Sequence, residues 1–256
     1  MKLQYKNIAN KYQTIRQVLK QEFKLPNRLI SRLKQDKAIL SNGVPMYIDK
    51  EIYVDDEVLV YFKDIEEISH NVVATPMSLS ILYEDESILV INKPPFMPVH
   101  PSSSHYNDSL ANGVQHYFST LGIQKKIRLV NRLDKDTSGI VIFAKNAYVQ
   151  EMLIRQMKEK IFHKKYIALL EGKLEKTKET IDAPIARKEG SIIERCINPN
   201  GDTAITHFEL KKQYSNYAVV EFLLETGRTH QIRVHSKYIG HPILRRYIVW
   251  QRIFIN

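Results

Sequence analysis

Cysteine is almost absent from the sequence, since Cys196 is the only one among 256 residues. A single cysteine cannot form an internal disulfide, which suits a reducing compartment. No apolar run reaches the ~20 residues that span a bilayer. The N-terminus, MKLQYKNIANKYQ, lacks the apolar region of a secretory signal. We therefore expect a soluble, cytoplasmic protein with no membrane attachment.

Acidic residues are scarce relative to basic ones, at 28 Asp and Glu against 38 Lys and Arg, which gives a formal net charge of +10. This excess favours a polyanionic partner through electrostatic steering and counterion release. A basic protein without such a partner would have the same composition. The hydrophobic fraction of 43% is ordinary for a globular protein. The length allows one large domain, or a large one with a small one.

The first part of the chain has apolar residues at helical spacing, then the tight-turn signal Asn42-Gly43, then a strand-like alternation. The apolar positions are Ile15, Val18, Leu19, Phe23, Leu29, Ile30, Leu33, Val54, Val58, Val60 and Phe62. The helices also carry Arg16, Lys20, Lys24, Arg28, Arg32, Lys34 and Lys37. From about Gln13 to Lys63 this order resembles the alpha-L RNA-binding module first known from a ribosomal small-subunit protein. The alternative is a basic helical cap whose charges are only solvated.

A polar stretch containing a proline, residues 64–76, is the expected linker, and we divide the chain into domains 1–68 and 69–256. The second domain should contain helices over Ser109 to Phe118 and Ala147 to Lys160. Its candidate strands are Ile81–Tyr83, Ile88–Ile91, Arg128–Leu133, Gly139–Ala144, Lys165–Leu170, Ala204–Leu210 and Ala218–Leu224. Helices that separate groups of strands without strict alternation predict an α+β fold with a mixed, mainly antiparallel sheet.

Three polar segments lie beside apolar strands. Asn131–Gly139 falls between two of them and should form a loop at a sheet end, where Arg132 and Asp134 point to the same side. Thr226–His235 holds two arginines and two histidines, which are costly there unless they serve a site or pair with carboxylates. Lys164–Gly172 is a strand in which lysines precede a tyrosine.

Together these segments resemble the ordered motifs of the RluA-type RNA pseudouridine synthases over about Ile81 to Leu244. The matching stretches are Asn131-Arg132-Leu133-Asp134 with Thr137-Ser138-Gly139, Ile88–Pro95 with Val99-His100-Pro101, Thr226–His235, and Gly240–Leu244. The resemblance implies isomerisation of uridine to pseudouridine in ribosomal or transfer RNA. It implies no cofactor, no metal, no protein partner and a monomer.

The resemblance also implies roles for particular residues. Asp134 corresponds to the catalytic aspartate, Tyr166 to a tyrosine facing the target base, and Arg233 to an arginine paired with Asp134. The expected substrate-binding residues are Arg132, Arg228, His230 and Gln231. The chemistry agrees, because a carboxylate that must stay ionised in a pocket is helped by a fixed guanidinium. An aromatic ring offers a stacking face to a base taken out of its helix.

Simpler interpretations of these residues remain open. Arg132–Asp134 and Arg228–Asp136 would make ordinary salt bridges at a sheet end. Tyr166 alone would suit a core or rim position. His230, His235 and His241 could suggest a metal-dependent hydrolase, but their spacing is not that of a His-Glu-x-x-His helix and no cysteine is near. Ser102–His105 lacks a Gly-x-Ser-x-Gly elbow and should be a loop.

The sequence departs from the family after Leu244. A Gly-Asp and a Leu-Tyr-Gly are expected there, but the chain continues with Arg245–Asn256. One choice of codons, read one base later, gives Glu-Asp-Ile-Leu-Tyr-Gly-Arg, so we hypothesise a frameshift near Leu244; the alternative is a naturally divergent tail. We expect this apolar tail to lack a partner in the fold, with the family's own C-terminal part missing. That leaves a second functional hypothesis, an RNA-binding protein with impaired catalysis.

Overall fold

The computed structural model describes residues 1–62, 72–123 and 125–255, and of residues 245–255 only the backbone. The N-terminal part combines short helices with a four-stranded antiparallel sheet of order β1-β4-β2-β3. Its strands are β1 (Lys2–Lys6), β2 (Ile39–Ser41), β3 (Val44–Pro45) and β4 (Glu57–Tyr61). Its helices are α1 (Ile15–Gln17), which runs into a π-helical turn over Val18–Glu22, and α2 (Asn27–Gln35).

The apolar helical positions predicted from the sequence form the core of this part. Ile15, Val18 and Leu19 are fully buried. Helix α2 adds three more buried apolar side chains to the same core, Leu29, Ile30 and Leu33. We had predicted that Val54 belongs to a strand, but it is exposed beside a turn in which Asp55 has a φ of 71°. The sequence analysis also missed β1, because this edge strand has only two partly buried residues. The predicted boundary at residue 68 lies outside the described residues.

The larger part is an α+β structure built on two antiparallel sheets, as predicted. One sheet has the order β5-β6-β8-β7 and the other the order β10-β13-β14-β9-β15. The strands are β5 (Ile81–Glu84), β6 (Ile88–Lys93), β7 (Arg128–Leu129), β8 (Gly139–Ala144), β9 (Phe162–Glu171), β10 (Lys178–Asp182), β11 (Ile185–Arg187), β12 (Arg195–Ile197), β13 (Ile205–Gln213), β14 (Tyr217–Leu224) and β15 (Ile243–Ile255). The helices are α3 (Leu110–Thr120), α4 (Ala147–Lys158) and α5 (Gln231–Tyr238). None of the helices in the described ranges is long and apolar enough to cross a membrane.

The strand expected over Arg128–Leu133 stops at Leu129, because a side chain takes over the pairing with the next strand. Asn131 Nδ2 donates to the carbonyl of Ile140 at 2.9 Å, and Asn131 Oδ1 accepts from the amide of Ile142 at 2.9 Å. The chain is thereby held against β8 while its own backbone leaves the sheet. Residues 130–138 consequently form a fixed loop rather than a strand end.

The residues after Leu244 do have a partner, so the expectation that this tail would be unpaired is wrong. They form β15, which runs antiparallel to β9, with Gln251 opposite Tyr166 and Ile253 opposite Lys164. The other side of β9 is paired with β14, so β15 covers the remaining edge. Strand pairing uses backbone groups that every residue but proline carries, and so a segment's periodicity does not reveal its neighbour.

The N-terminal part packs against α4. Ala147 and Tyr148 of this helix contact its apolar core, and the rings of Tyr148 and Phe62 lie 5.3 Å apart between centroids. Further along α4, Arg155 Nη1 donates to the carbonyl of Lys24 at 3.3 Å. The helix therefore carries the small unit on the larger one.

We expect Tyr148→Ala to loosen this packing and to lower the free energy of unfolding of the N-terminal unit. The ring pair alone is worth about 0.5–1.5 kcal/mol beyond the area it buries. Urea unfolding followed by hydrogen exchange of the N-terminal amides measures the effect. Tyr47→Ala is the matched control, since Tyr47 belongs to the same unit and is 85% exposed. Equal effects of the two substitutions would contradict the packing described here.

Candidate active site

A pocket of about 450 Å³ lies between the loop over residues 130–138, β9 and the segment leading into α5. All seven residues singled out from the sequence line it: Asp134, Tyr166, Arg233, Arg132, Arg228, His230 and Gln231. The two sheets of the larger part therefore bring three separate polar segments to one place. Both polar and apolar side chains line the pocket, as is usual for small-ligand sites.

The loop that carries Asp134 is anchored by a buried lysine that the sequence analysis did not single out. Lys93 is completely buried, and its Nζ donates to the carbonyls of Pro94 and Met97 at 2.8 Å and of Lys135 at 3.0 Å. Burial lowers the pKa of Lys93 to about 8, although Asp136 and Asp134 raise it. Lys93 shares the buried face of β6 with Leu89 and Ile91, but the continuous apolar run Ile88–Ile91 does not indicate which face of the strand is buried.

Asp134 is accessible within the pocket. Its side chain is 34% exposed, its Oδ2 lies 4.0 Å from His230 Nε2, and its carbonyl accepts from the amide of Thr137 at 3.0 Å. Leu133 is buried in the core, although it also borders the pocket that Arg132 and Asp134 line. The carboxylate is therefore presented to whatever enters the pocket.

Tyr166 lies in the pocket wall and is only 8% exposed. Burial, and secondarily the charge of Asp134, raise the pKa of Tyr166. The phenol consequently stays protonated at neutral pH. Its ring can face a base, and its hydroxyl can donate a hydrogen bond, without adding a second negative charge beside Asp134.

The expected ion pair between Arg233 and Asp134 is replaced by a different one. Arg233 Nη2 lies 3.2 Å from Asp136 Oδ2, and within the described residues no ion pair under 4.0 Å joins Arg233 to Asp134. A turn separates the two carboxylates, so that Asp136 faces α5 while Asp134 faces the pocket. The sequence places two aspartates two residues apart and cannot indicate which one the guanidinium reaches.

The simple salt bridges considered for the other two arginines are not formed. Among the described residues, neither Arg132–Asp134 nor Arg228–Asp136 approaches within 4.0 Å. Arg228 Nε instead donates to the carbonyl of Thr203 at 2.9 Å, with Asp202 Oδ2 3.7 Å from its Nη1. Arg132 is exposed at the pocket, and its charge adds to the effect of burial in lowering the pKa of His100.

The segment before α5 is shaped by Gln231 rather than left free to bind a ligand. Its Oε1 accepts from Thr226 Oγ1 at 2.8 Å and from the amide of Arg228 at 2.9 Å. Its Nε2 donates to Thr206 Oγ1 at 2.9 Å and to the carbonyl of Ile205 at 3.0 Å. Because these bonds occupy the whole amide, the structure does not support the substrate-binding role expected for Gln231. The side chain positions its neighbours instead.

His230 adopts the left-handed backbone conformation, with a φ of 60°, immediately before α5 begins. This conformation costs a non-glycine residue roughly 1–2 kcal/mol, and such strain often accompanies functional sites. Its effect here is to turn the imidazole toward Asp134 while Gln231 enters the core.

Comparisons with known proteins agree with this geometry. Residues 87–238, more than half of the chain, match the model of the family described as RNA pseudouridylate synthase. The chain belongs to this family. It is 39% identical to an uncharacterized RNA pseudouridine synthase, YjbO, of Bacillus subtilis over 87% of this chain and 78% of the relative. It is 37% identical to ribosomal large subunit pseudouridine synthase D of Haemophilus influenzae over 67% of this chain and 52% of that protein.

The fold is shared with a solved relative. The structure of human RNA pseudouridylate synthase domain containing 1 superimposes with a TM-score of 0.58 at 25% identity, covering 71% of this chain and 81% of that one. The protein is thus an RNA pseudouridine synthase, an isomerase that converts uridine to pseudouridine in RNA, as the sequence motifs predicted.

The other two histidines considered for a metal site, His235 and His241, have hydrogen-bond partners within the protein. His235 is fully buried, with Nε2 2.9 Å from the carbonyl of Ala183 and Nδ1 2.9 Å from Thr206 Oγ1. Nε2 therefore donates, and Nδ1 accepts from the threonine hydroxyl. His241 Nδ1 lies 2.9 Å from the carbonyl of Glu171. These bonds anchor α5 itself and the turn that follows it.

We expect the stability of the synthase to fall as the pH decreases below about 6.5, the ordinary histidine pKa. Burial is the main reason that the pKa of His235 is lowered in the fold. The unfolded chain therefore binds the proton first, so stability present above pH 6.5 is lost progressively below it. The free energy of unfolding measured over this pH range, in the wild type and in His235→Gln, tests this. An equally steep loss in the variant would show that other groups cause it.

Proposed function

We propose that this synthase modifies uridines of ribosomal RNA and that the Asp134 carboxylate is the group that reacts. Of the two RNA classes expected from the sequence, the relatives favour ribosomal RNA, because several are named ribosomal large subunit pseudouridine synthase D. The observation that carries the assignment of Asp134 is its accessible carboxylate beside the buried phenol of Tyr166. The enzyme would act in the cytoplasm, where ribosomes are assembled in bacteria.

The reaction breaks the bond between C1′ of the ribose and N1 of uracil, turns the base, and joins C1′ to C5. No atoms are gained overall, since the proton lost from C5 is balanced by one gained at N1. A carboxylate in the pocket can act as the nucleophile or base that this exchange needs. Tyr166 would hold the detached base by ring contact, and His230, 4.0 Å from Asp134, would bound its movement.

Arg233 would act through Asp136 in this scheme. Their ion pair connects α5 to the loop over residues 130–138, and so fixes the position of Asp134 without neutralising it. Arg132 and Arg228, at the exposed rim, suit contacts with RNA phosphates. The alternative of an RNA-binding protein with impaired catalysis is not favoured, because the residues proposed for catalysis line one pocket.

We also propose that the N-terminal unit contributes RNA binding. The basic side chains of Arg28 and Lys34 are exposed on α2. The unit packs on α4, whose Met157 lines the pocket at the other end of the helix. One helix thus supports both the basic surface and the pocket wall. RNA bound to the unit would be held at a fixed distance from Asp134.

We expect Asp134→Asn to abolish pseudouridine formation while leaving RNA affinity nearly unchanged, because phosphate contacts dominate affinity. RNA from cells in which the gene is deleted would serve as substrate, with pseudouridine mapped before and after incubation. Asp136→Asn is the matched control, a carboxylate of the same loop that faces Arg233, and it should retain measurable activity. Conversion of uridine by the Asp134→Asn protein would exclude the proposed mechanism, and conversion only in other RNA classes would exclude ribosomal RNA.

The double substitution of Arg28 and Lys34 by Gln should flatten the salt dependence of RNA binding. Each lost phosphate contact should reduce the slope of log K against log salt by roughly 0.7–0.9. Titrations over a series of KCl concentrations give the slope for the wild type and the variant. Identical slopes would mean that these charges are only solvated and that the unit binds no RNA through α2.

A further inference from the structure

Lys164 is a cation of the pocket to which the proposed mechanism gives no task. It precedes Tyr166 by two residues on β9, and both side chains line the pocket, as residues on the same face of a strand should. Lys164 is half-buried, and burial lowers its pKa. Within the described residues its ammonium has no hydrogen-bond acceptor and no carboxylate within 4.0 Å.

Other lysines withdrawn from solvent in this synthase have such partners. Lys93 donates to three carbonyls, and Lys145 Nζ lies 2.7 Å from Glu84 Oε1. Lys165, the next residue along β9, lies 3.6 Å from Glu221 Oε1. An unpaired cation that has lost part of its hydration is costly in free energy. Such a group in a pocket is typical of a site that an anion completes.

The Lys164 ammonium lies beside a glycine of the segment that leads into α5. A Cβ placed on Gly227 would lie only 2.9 Å from Lys164 Nζ, so the ammonium lies directly against this glycine. Gly227 directly precedes Arg228, which also lines the pocket. Lys164 therefore reaches from the floor of the sheet to the turn that carries a second cation. Lys164 and Arg228 are thus two cations that line the same pocket.

Asp134 is not the anion that would pair with Lys164. The charge of Asp134 affects the pKa of both Tyr166 and Lys93, whereas burial is the sole cause acting on Lys164. Among the described residues no carboxylate lies within 4.0 Å of the Lys164 ammonium, which lies against Gly227, the residue before Arg228. The anionic groups that RNA offers at a distance from the reacting base are its phosphates, which lysine binds as a point charge.

We propose that Lys164 binds a phosphate that flanks the target uridine and so holds the nucleotide against Tyr166 and Asp134. This inference rests on the proposed assignment of the pocket as the active site. It makes Lys164 a substrate-binding residue in the interior of the pocket, distinct from the exposed arginines at its rim.

The test measures kcat/KM for pseudouridine formation on RNA from the gene-deleted cells, over a series of KCl concentrations. Lys164→Gln should reduce the slope of log kcat/KM against log salt by roughly 0.7–0.9, the contribution of one phosphate contact. Lys164→Arg keeps the charge and should keep the slope. Lys165→Gln is the matched control, since it removes an equal charge that is already paired with Glu221.

The free energy of unfolding of each variant separates binding from folding. Because the Lys164 ammonium has no partner among the described residues, Lys164→Gln should leave stability unchanged or increase it. An active enzyme with an unchanged slope in Lys164→Gln would overturn the inference. Equal reductions in Lys164→Gln and Lys165→Gln would also overturn it, because the effect would then reflect total charge. A wild-type protein that forms no pseudouridine would instead overturn the proposed function itself.

Discussion

The burial of the Lys93 ammonium is the interaction on which the candidate active site depends. Its Nζ donates hydrogen bonds to three carbonyls, one of which belongs to Lys135, next to Asp134. Lys93 also lies opposite Gly139 in the pairing of β6 with β8, where the loop over residues 130–138 ends. The same residue therefore fixes the middle of the loop and the point at which it rejoins the sheet. A shorter or uncharged side chain would leave buried acceptors unsatisfied, at about 1–3 kcal/mol each.

The opposite wall is held by neutral hydrogen bonds rather than by charge. Gln231, Thr206 and His235 form a chain that ends on the carbonyl of Ala183, entirely within the core. This series of hydrogen bonds is attached to the sheet that contains β13, whereas the loop of Asp134 is attached to the sheet that contains β8. The ion pair of Arg233 with Asp136 joins the two walls across the pocket. Since each wall is fixed separately, the pocket keeps its shape without a ligand, which is the preorganisation that catalysis requires.

The sequence predicted most of what depends on local pattern. The burial of Ile15, Val18 and Leu19 follows from helical spacing, and the place of Arg132 and Asp134 in a polar loop at a sheet end follows from the apolar segments on either side. Partners across the fold were not predictable in the same way. The pairing of Arg233 with Asp136 rather than Asp134 depends on the turn that separates the two carboxylates, and the pairing of β15 with β9 uses backbone groups that carry no sequence signal.

Hydrogen-bond saturation distinguishes two kinds of polar residue that the sequence motifs present together. The side-chain amide of Gln231 and both ring nitrogens of His235 are hydrogen-bonded within the protein, so these residues position other groups and do not bind a ligand. Asp134 and Lys164 line the same pocket with capacity left for a ligand. A buried group that is already satisfied gains little from a substrate, whereas a partly desolvated group without a partner gains much. We therefore expect binding energy to come mainly from residues such as Asp134 and Lys164. The role of a motif residue then follows from whether its polar groups already have partners, and not from its place in the motif.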